Sequence, residues 1–420
     1  MGHYDVVIIG GGLAGATAAA QYRKSGGNGR ILVISADSDL PVNRPPLSKD
    51  YLMGDEPLGK VFVHPAAFYW ENQIDIRLDL PVRALDLQAK DVHLADGEVL
   101  GYGTAVLATG ARSRRPSLKG GNLPGVFYLR SLASCQILRQ AYQEARRVVL
   151  IGAGFIGMEV ASVLTQRGVE CTVLEAGGRV WPRVVPEIVS SFMEGYYRDH
   201  GVSLRFGQRV SELRGGDHVD AVVLESGESL PADLVVAGLG AVLNIGLAQA
   251  AGLDLDRAII VDEYLRTSHP DVYAVGDVTS FPDPIAGRIH VEHWDNALDQ
   301  GQALGRTLAG QPMVFDRVAQ FYSNVFDLSL NLVGYPEGWD DIIVRGSRKD
   351  GQLREVPFRV IYVKEGVVRA VLLVNQRGKL DMGELEAWKT LVKARTPANA
   401  HGMSDPAIEP RALLGADVRQ

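Results

Sequence analysis

The stretch GGGLAG at Gly10–Gly15 returns as GAGFIG at Gly152–Gly157. Each copy follows a short apolar run (VVII, VVLI) and opens an apolar-periodic segment that reads as a helix. A strand, a G-x-G-x-x-G turn and a helix form the entry to a dinucleotide-binding βαβ unit. The first glycine permits the tight turn, the second lets backbone approach a pyrophosphate, and the third lets helix and strand pack closely. The helix N-terminus then stabilises the phosphate charge. One such motif is weak evidence, since any α/β protein can carry a glycine-rich turn. Two, each in the right context, predict a chain that binds two dinucleotides through Gly10, Gly12 and Gly15, and through Gly152, Gly154 and Gly157.

Both copies continue into a second apolar strand, ILVIS and CTVLE, of the kind expected in a parallel sheet covered on both faces. An acid follows each strand. Asp37 and Glu175 are therefore read as acceptors for adenosine ribose hydroxyls. Two further strands end in turns, AVLATGA at Thr109–Gly110 and VYAVGDV at Asp277. Two dinucleotides in one chain suggest FAD with a nicotinamide cofactor. Asp277 can hold a ribityl hydroxyl, cap a helix, or do both. From about residue 321 strand patterns take over, with a hairpin through KEG, then a helix over MGELEAWKTLVKA.

Composition narrows the function. At 420 residues the chain is long enough for two or three domains. A net charge of −7 makes it a poor general binder of nucleic acid. Cys135 and Cys171 are the two cysteines; they offer neither a disulfide framework nor metal-ligand spacing, and fit a reducing, cytoplasmic setting. The run Val6–Ala20 reads as strand, turn and helix rather than a signal segment, and no span of about 20 apolar residues suggests a membrane helix.

The motifs GGGLAG, RPPLSK, LATGA, GAGFIGMEVA, VDEYLRTSHPDVYAVGDV and VEHWDNALDQG together resemble the pyridine nucleotide–disulfide oxidoreductase superfamily, over Tyr4 to about Ala394. Within it the chain is similar to ferredoxin and rubredoxin reductases, with apoptosis-inducing-factor-like and monodehydroascorbate-reductase-like relatives. The resemblance implies an α/β fold with two Rossmann-like domains and a smaller α+β C-terminal domain. The FAD domain is expected at 1–112 and 242–320, the NAD domain at 113–241, the C-terminal domain at 321–395, and a loosely ordered tail or surface arm at 396–420. It places Gly10, Gly12, Gly15, Asp37, Arg44, Lys49, Val82, Thr109, Gly110, Arg130, Asp277 and Trp294 at FAD. It places Gly152, Gly154, Gly157, Glu159, Glu175, Arg183 and Gly240 at the nicotinamide cofactor. Glu175 favours NADH, because a carboxylate repels the 2′-phosphate of NADPH. Arg179 and Arg183 are the residues that would offer NADPH a site.

The stretch LPVNRPPLSKDYL at Leu40–Leu52 is where disulfide reductases of this superfamily carry cysteine, and this chain has none there. Electrons are then expected to leave the flavin directly for an outside acceptor. Two prolines stiffen the backbone. The resemblance implies that Lys49 lies near the flavin N5 and pairs with Glu159. Taken singly, Lys49 is equally a loop lysine and Glu159 a helix-dipole partner. Glu292 resembles a glutamate beside the nicotinamide carboxamide, and Trp294 is either a flavin neighbour or a core tryptophan. Tyr322 stands where the nearest reductases carry a tryptophan against the flavin ring.

The expected activity is NADH-dependent reduction of a small iron–sulfur protein, a [2Fe–2S] ferredoxin of an oxygenase system. The chain would act as a monomer or weak homodimer, with no nucleic acid or membrane partner. Arg112, Arg114 and Arg115, or Arg345, Arg348 and Lys349, are candidate basic patches for an acidic ferredoxin. The alternatives are a small organic radical, a quinone or oxygen as acceptor, or a redox-sensing protein of the apoptosis-inducing-factor type.

Overall fold

The computed structural model describes residues 2–414. The chain divides into two compact units. The first comprises Met1–Arg44, Pro57–Arg112 and Val242–Ala319. Its centre is a sheet in which Ile74–Arg77, Ile31–Ile34, Gly2–Ile9, Val99–Leu107 and Val272–Ala274 run parallel in that order. Val7 pairs with both Leu32 and Ala105, and Ala105 with Val272. All four residues of Ile31–Ile34 are buried. Continuous burial of this kind is the mark of a strand covered on both faces. An antiparallel pair, Asp91–Leu94 and Val82–Asp86, extends the sheet past Val99–Leu107.

The helices Leu13–Lys24 and Trp294–Leu308 pack side by side in this unit. A Cβ on Gly301 would lie 2.7 Å from the Ala14 carbonyl, and one on Gly305 would lie 2.6 Å from that of Ala18. These two glycines, one turn apart, let the backbones touch. The order of contacts runs the same way along both helices, so they are parallel and their N-termini lie at the same end.

The second unit comprises Pro45–Glu56, Ser113–Ala241 and Gln320–Gln420, of which residues up to 414 are described. It contains a parallel sheet in the order Ser203–Phe206, Glu170–Glu175, Arg147–Ile151, Leu234–Ala237, Val126–Phe127. A second sheet is antiparallel, in the order Gln320–Val325, Leu328–Gly334, Val367–Gln376, Phe358–Lys364, Asp341–Arg345. The expected hairpin through KEG forms here. Glu365 and Gly366 both take positive φ, 55° and 72°, which suits a two-residue turn between twisted strands. The helix Met382–Lys393 is capped by the Asp381 carboxylate and buries Leu385, Trp388, Leu391 and Val392.

Of the two alternatives for residues 396–420, a loose tail or a surface arm, the described part forms an arm. Val368 N–H donates to the Thr396 carbonyl and Ala398 N–H to that of Gly366. A short helix, Ala400–Ser404, and a turn of 3₁₀ helix, Pro410–Leu413, bury Met403 and Leu413. The Arg345 guanidinium donates to the carbonyls of Asp405 and Ile408. Weak periodicity hid this arm because backbone and arginine bonds fix it more than an apolar stripe does. Residues 415–420 lie outside the described residues.

Candidate functional site

In the first unit the opening fingerprint builds a cradle. Gly10 has φ +124°, and a Cβ there would lie 2.1 Å from the Ala108 carbonyl oxygen. Gly15 packs so closely that a Cβ would lie 2.3 Å from Gly10 O. A Cβ on Gly12 would meet nothing within 4 Å, so the cradle is open at that point. The helix Leu13–Lys24 begins at Gly12 with no side-chain cap. The parallel helix Trp294–Leu308 begins at His293, also without one. Two helix N-termini without side-chain caps thus face the same end, which is how folds hold a dinucleotide's pyrophosphate.

Other expected residues gather around this cradle. Gly276 (φ +80°) packs between Ala14 and Ala297, at the start of the turn that presents the half-buried Asp277. The buried Gln300 fixes that turn, accepting from Gly276 N–H at 2.7 Å and Thr279 Oγ1 at 3.1 Å. Arg44 Nη1 comes within 3.9 Å of where a Cβ on Gly110 would sit. Thr109 Oγ1 donates to Asn244 O, and Asn244 Nδ2 returns a bond to Thr109 O. Trp294 is half-buried, with Nε1 donating to Asn43 Oδ1 at 3.0 Å, so it is not a core tryptophan. Glu292 is exposed and pairs with His290 Nε2 at 3.2 Å. Burial opposes charge on His290, but bonds to Glu292 and the Thr279 carbonyl outweigh it and raise its pKa. Val82 starts the edge strand of the antiparallel extension, two strands beyond Val99–Leu107.

One equivalence needs correction. Gly10 N–H bonds to Ile34 O, and Gly152 N–H bonds to Leu174 O. Ser35, not Asp37, therefore stands where Glu175 stands in the second copy. Ser35 is buried beside Gly11, where an added Cβ would lie 2.5 Å from Ser35 Oγ. Asp37 lies two residues further on and is exposed. The connection before the first copy's second strand is longer, and residue counting cannot reveal the shift in register.

In the second unit the second fingerprint repeats the design. The helix Phe155–Gln166 begins at Gly154 without a side-chain cap. A Cβ on Gly157 would lie 2.2 Å from Gly152 O, and one on Gly152 (φ +101°) 2.6 Å from Gly238 O. Gly238 is a cradle residue the sequence motif does not include. Glu175 Oε2 accepts from Ala153 N–H at 2.8 Å and Oε1 from Gly177 N–H at 2.7 Å. The carboxylate is thereby locked beside the glycine turn. Gly240 has φ +91°, and its carbonyl accepts from Arg114 N–H. Arg183 is exposed. Arg179 is not a free phosphate ligand: it donates to Val185 O, Ser190 Oγ and Pro182 O, and so braces its own loop. Arg130 also belongs to this unit, its N–H bonded to Ser134 Oγ at 3.2 Å.

The structure brings Lys49 and Glu159 together within this unit, at 2.9 Å. Both residues are buried, and Lys49 Nζ lies 5.9 Å from the centre of the Tyr322 ring. Two serines that the sequence did not single out complete the group. Ser48 Oγ and Ser323 Oγ both donate to the Glu159 carboxylate, the latter at 2.6 Å. Cys135 also lies beside this turn, its thiol donating to Leu47 O at 3.1 Å. Burial pushes that thiol up to about 12, and that of Cys171 up to about 11, so neither supplies a reactive thiolate near neutral pH.

The candidate basic patches fare differently. Arg345 is buried under the C-terminal arm, which removes it from any surface patch. Arg348 and Lys349 are exposed, as are Arg112, Arg114 and Arg115. No helix among the described residues is long and apolar enough to cross a membrane.

Comparison with known proteins agrees with this geometry. The family model "Pyridine nucleotide-disulphide oxidoreductase" matches residues 4–301, and "Reductase C-terminal" matches 320–414. A ferredoxin–NAD(P)(+) reductase of Sphingomonas sp. is 36% identical, covering 96% of each chain. Putidaredoxin reductase of Pseudomonas putida is 34% identical over 98% of this chain and 97% of its own. Among solved structures, a covalent putidaredoxin reductase–putidaredoxin complex matches with a TM-score of 0.92 at 33% identity, over 99% of both chains. A ferredoxin reductase from Rhodopseudomonas palustris matches with a TM-score of 0.89 at 33% identity, over 97% of this chain and 99% of the other. With two uncapped glycine cradles and likeness along the whole described length, the chain belongs to the pyridine nucleotide–disulphide oxidoreductase family.

Proposed function

We propose that the protein is an NADH-dependent FAD flavoprotein that reduces a small iron–sulfur protein, a [2Fe–2S] ferredoxin serving an oxygenase. The observation that carries this reading is the full-length likeness to reductases whose names specify a ferredoxin-type acceptor. The setting of Lys49 agrees with it, since an ion pair occupies the stretch where disulfide reductases carry cysteine.

FAD, when bound, accepts hydride from NADH and releases electrons singly. The rest is what the chain supplies. Gly10, Gly12 and Gly15, with the N-termini of Leu13–Lys24 and Trp294–Leu308, hold the FAD pyrophosphate. Arg44 adds a cation, and Asp277 accepts from a ribityl hydroxyl. Gly152, Gly154 and Gly157 hold the NADH pyrophosphate, and Glu175 accepts from the adenosine ribose. Glu159 fixes Lys49, the cation that the family resemblance implies for stabilising negative charge on the reduced flavin. Its partner surface is basic, with Arg348 and Lys349 or Arg114 and Arg115 facing an acidic ferredoxin. The protein works in the cytoplasm as a monomer or weak homodimer.

Steady-state NADH oxidation with ferredoxin, ferricyanide, a quinone and oxygen alone separates the possible acceptors. Ferredoxin should saturate at the lowest concentration of the four. A quinone or small organic acceptor that outperforms ferredoxin would replace it.

A further inference from the structure

Glu159 is buried, with 3% of its surface exposed, and it gathers three donors from two segments distant from it in sequence. Lys49 and Ser48 come from the turn after Pro45–Pro46, and Ser323 from the middle of strand Gln320–Val325. Glu159 itself lies on the fingerprint helix Phe155–Gln166. A second buried bond joins the same helix to the same chain segment: Phe326 N–H donates to Ser162 Oγ at 2.6 Å. A carboxylate whose lone pairs are met by two fixed hydroxyls has little freedom to rotate. A lysine paired with that carboxylate then takes its position from it.

We propose that Ser323 and Ser48 are positioning residues: they orient Glu159, and through it fix where the Lys49 charge sits. Ser323 is fully buried, so its hydroxyl has no water to bond instead. The two serines act by different routes. Ser48 ties Glu159 to the lysine's own turn. Ser323 ties it to the C-terminal strand that also carries Tyr322, whose ring lies beside Lys49. A strand far away in sequence therefore sets the charge geometry of the Lys49 turn. The effect on the flavin rests on the function proposed above; the link from serine to Glu159 does not.

The test is a double-mutant cycle on the FAD-loaded, full-length protein, read two ways. Ser323→Ala is expected to lower Tm by a few degrees, and the same change in a Glu159→Gln background by less than half as much, because its partner charge is gone. Equal losses in both backgrounds would overturn the serine–glutamate link. The midpoint potential of bound FAD is the second reading. Ser323→Ala is expected to shift it downward, Ser323→Thr to restore it, and Lys49→Met to remove any further effect of Ser323→Ala. Coupling in Tm with an unmoved potential would keep the positioning of Glu159 and overturn the flavin reading of Lys49. An equal potential shift with and without Lys49 would overturn the route through that lysine.

Discussion

Lys49 Nζ lies 2.9 Å from Glu159 Oε1, with 10% and 4% of the two side chains exposed. Two charges so far from water must be paired, and their pairing is weak evidence for stability as such. Removing one leaves the other uncompensated, at a cost of about 3–5 kcal/mol. Such pairs persist where the position of the charge matters more than the net energy.

Exchange of Lys49 for Met should leave FAD bound and slow its reduction by NADH. The methionine is of similar length and apolar, so the fold pays mainly for the orphaned Glu159. Stopped-flow absorbance of the flavin checks this. Unchanged reduction kinetics would return Lys49 to a structural role.

Glu175→Ala should weaken NADH binding while leaving FAD content intact. A hydrogen bond to a charged group contributes about 1.5–3 kcal/mol, equivalent to about a tenfold to hundredfold rise in the NADH KM. The variant should also narrow the gap between NADH and NADPH, because the repelling charge is gone. Steady-state kinetics with both nucleotides measures each effect.

The glycines of one motif should separate by role. At Gly10 a Cβ would overlap the Ala108 carbonyl and adopt φ +124°. Gly10→Ala should therefore lower both stability and FAD content, with strain and overlap of the order of several kcal/mol. At Gly12 a Cβ has open space. Gly12→Ala should fold with near-normal Tm and yet retain less FAD, because the methyl enters the phosphate cradle. Flavin-to-protein absorbance ratios beside melting curves distinguish the two.

Neither cysteine should react with a thiol reagent in the native protein at ordinary pH. Burial raises the Cys135 thiol to about 12 and the Cys171 thiol to about 11. The thiolate fraction stays negligible until pH nears those values, and both thiols should become reactive on unfolding. Replacing both by alanine should leave ferredoxin reduction intact, as expected of a reductase without a thiol relay.

What could be read in the sequence follows from which constraints are local. The fingerprints were legible because each glycine answers to a steric need within a few residues of itself. The Lys49–Glu159 pair was reached through family resemblance, and the structure brings the two together. Asp37 shows the limit of counting, because it stands two residues beyond the register equivalent of Glu175. Gly10 and Gly152 bond to Ile34 and Leu174, and that register depends on a connection whose length differs between copies. Ser48 and Ser323 carry no signal alone, since a serine in a turn or strand usually bonds nearby backbone. They gain meaning only when folding places both hydroxyls on one buried carboxylate. Arg345 looked like surface charge beside Arg348 and Lys349, and the arm at Asp405 and Ile408 buries it.

Electrons from NADH pass through this protein to an iron–sulfur partner. Anaerobic mixing of the FAD-loaded protein with NADH and a [2Fe–2S] ferredoxin, followed by bleaching of the ferredoxin, measures this transfer. Bleaching should be catalytic in the flavoprotein, saturate with ferredoxin and slow as salt is raised. Ferredoxin bleaching no faster than the protein's reoxidation by oxygen alone would contradict it.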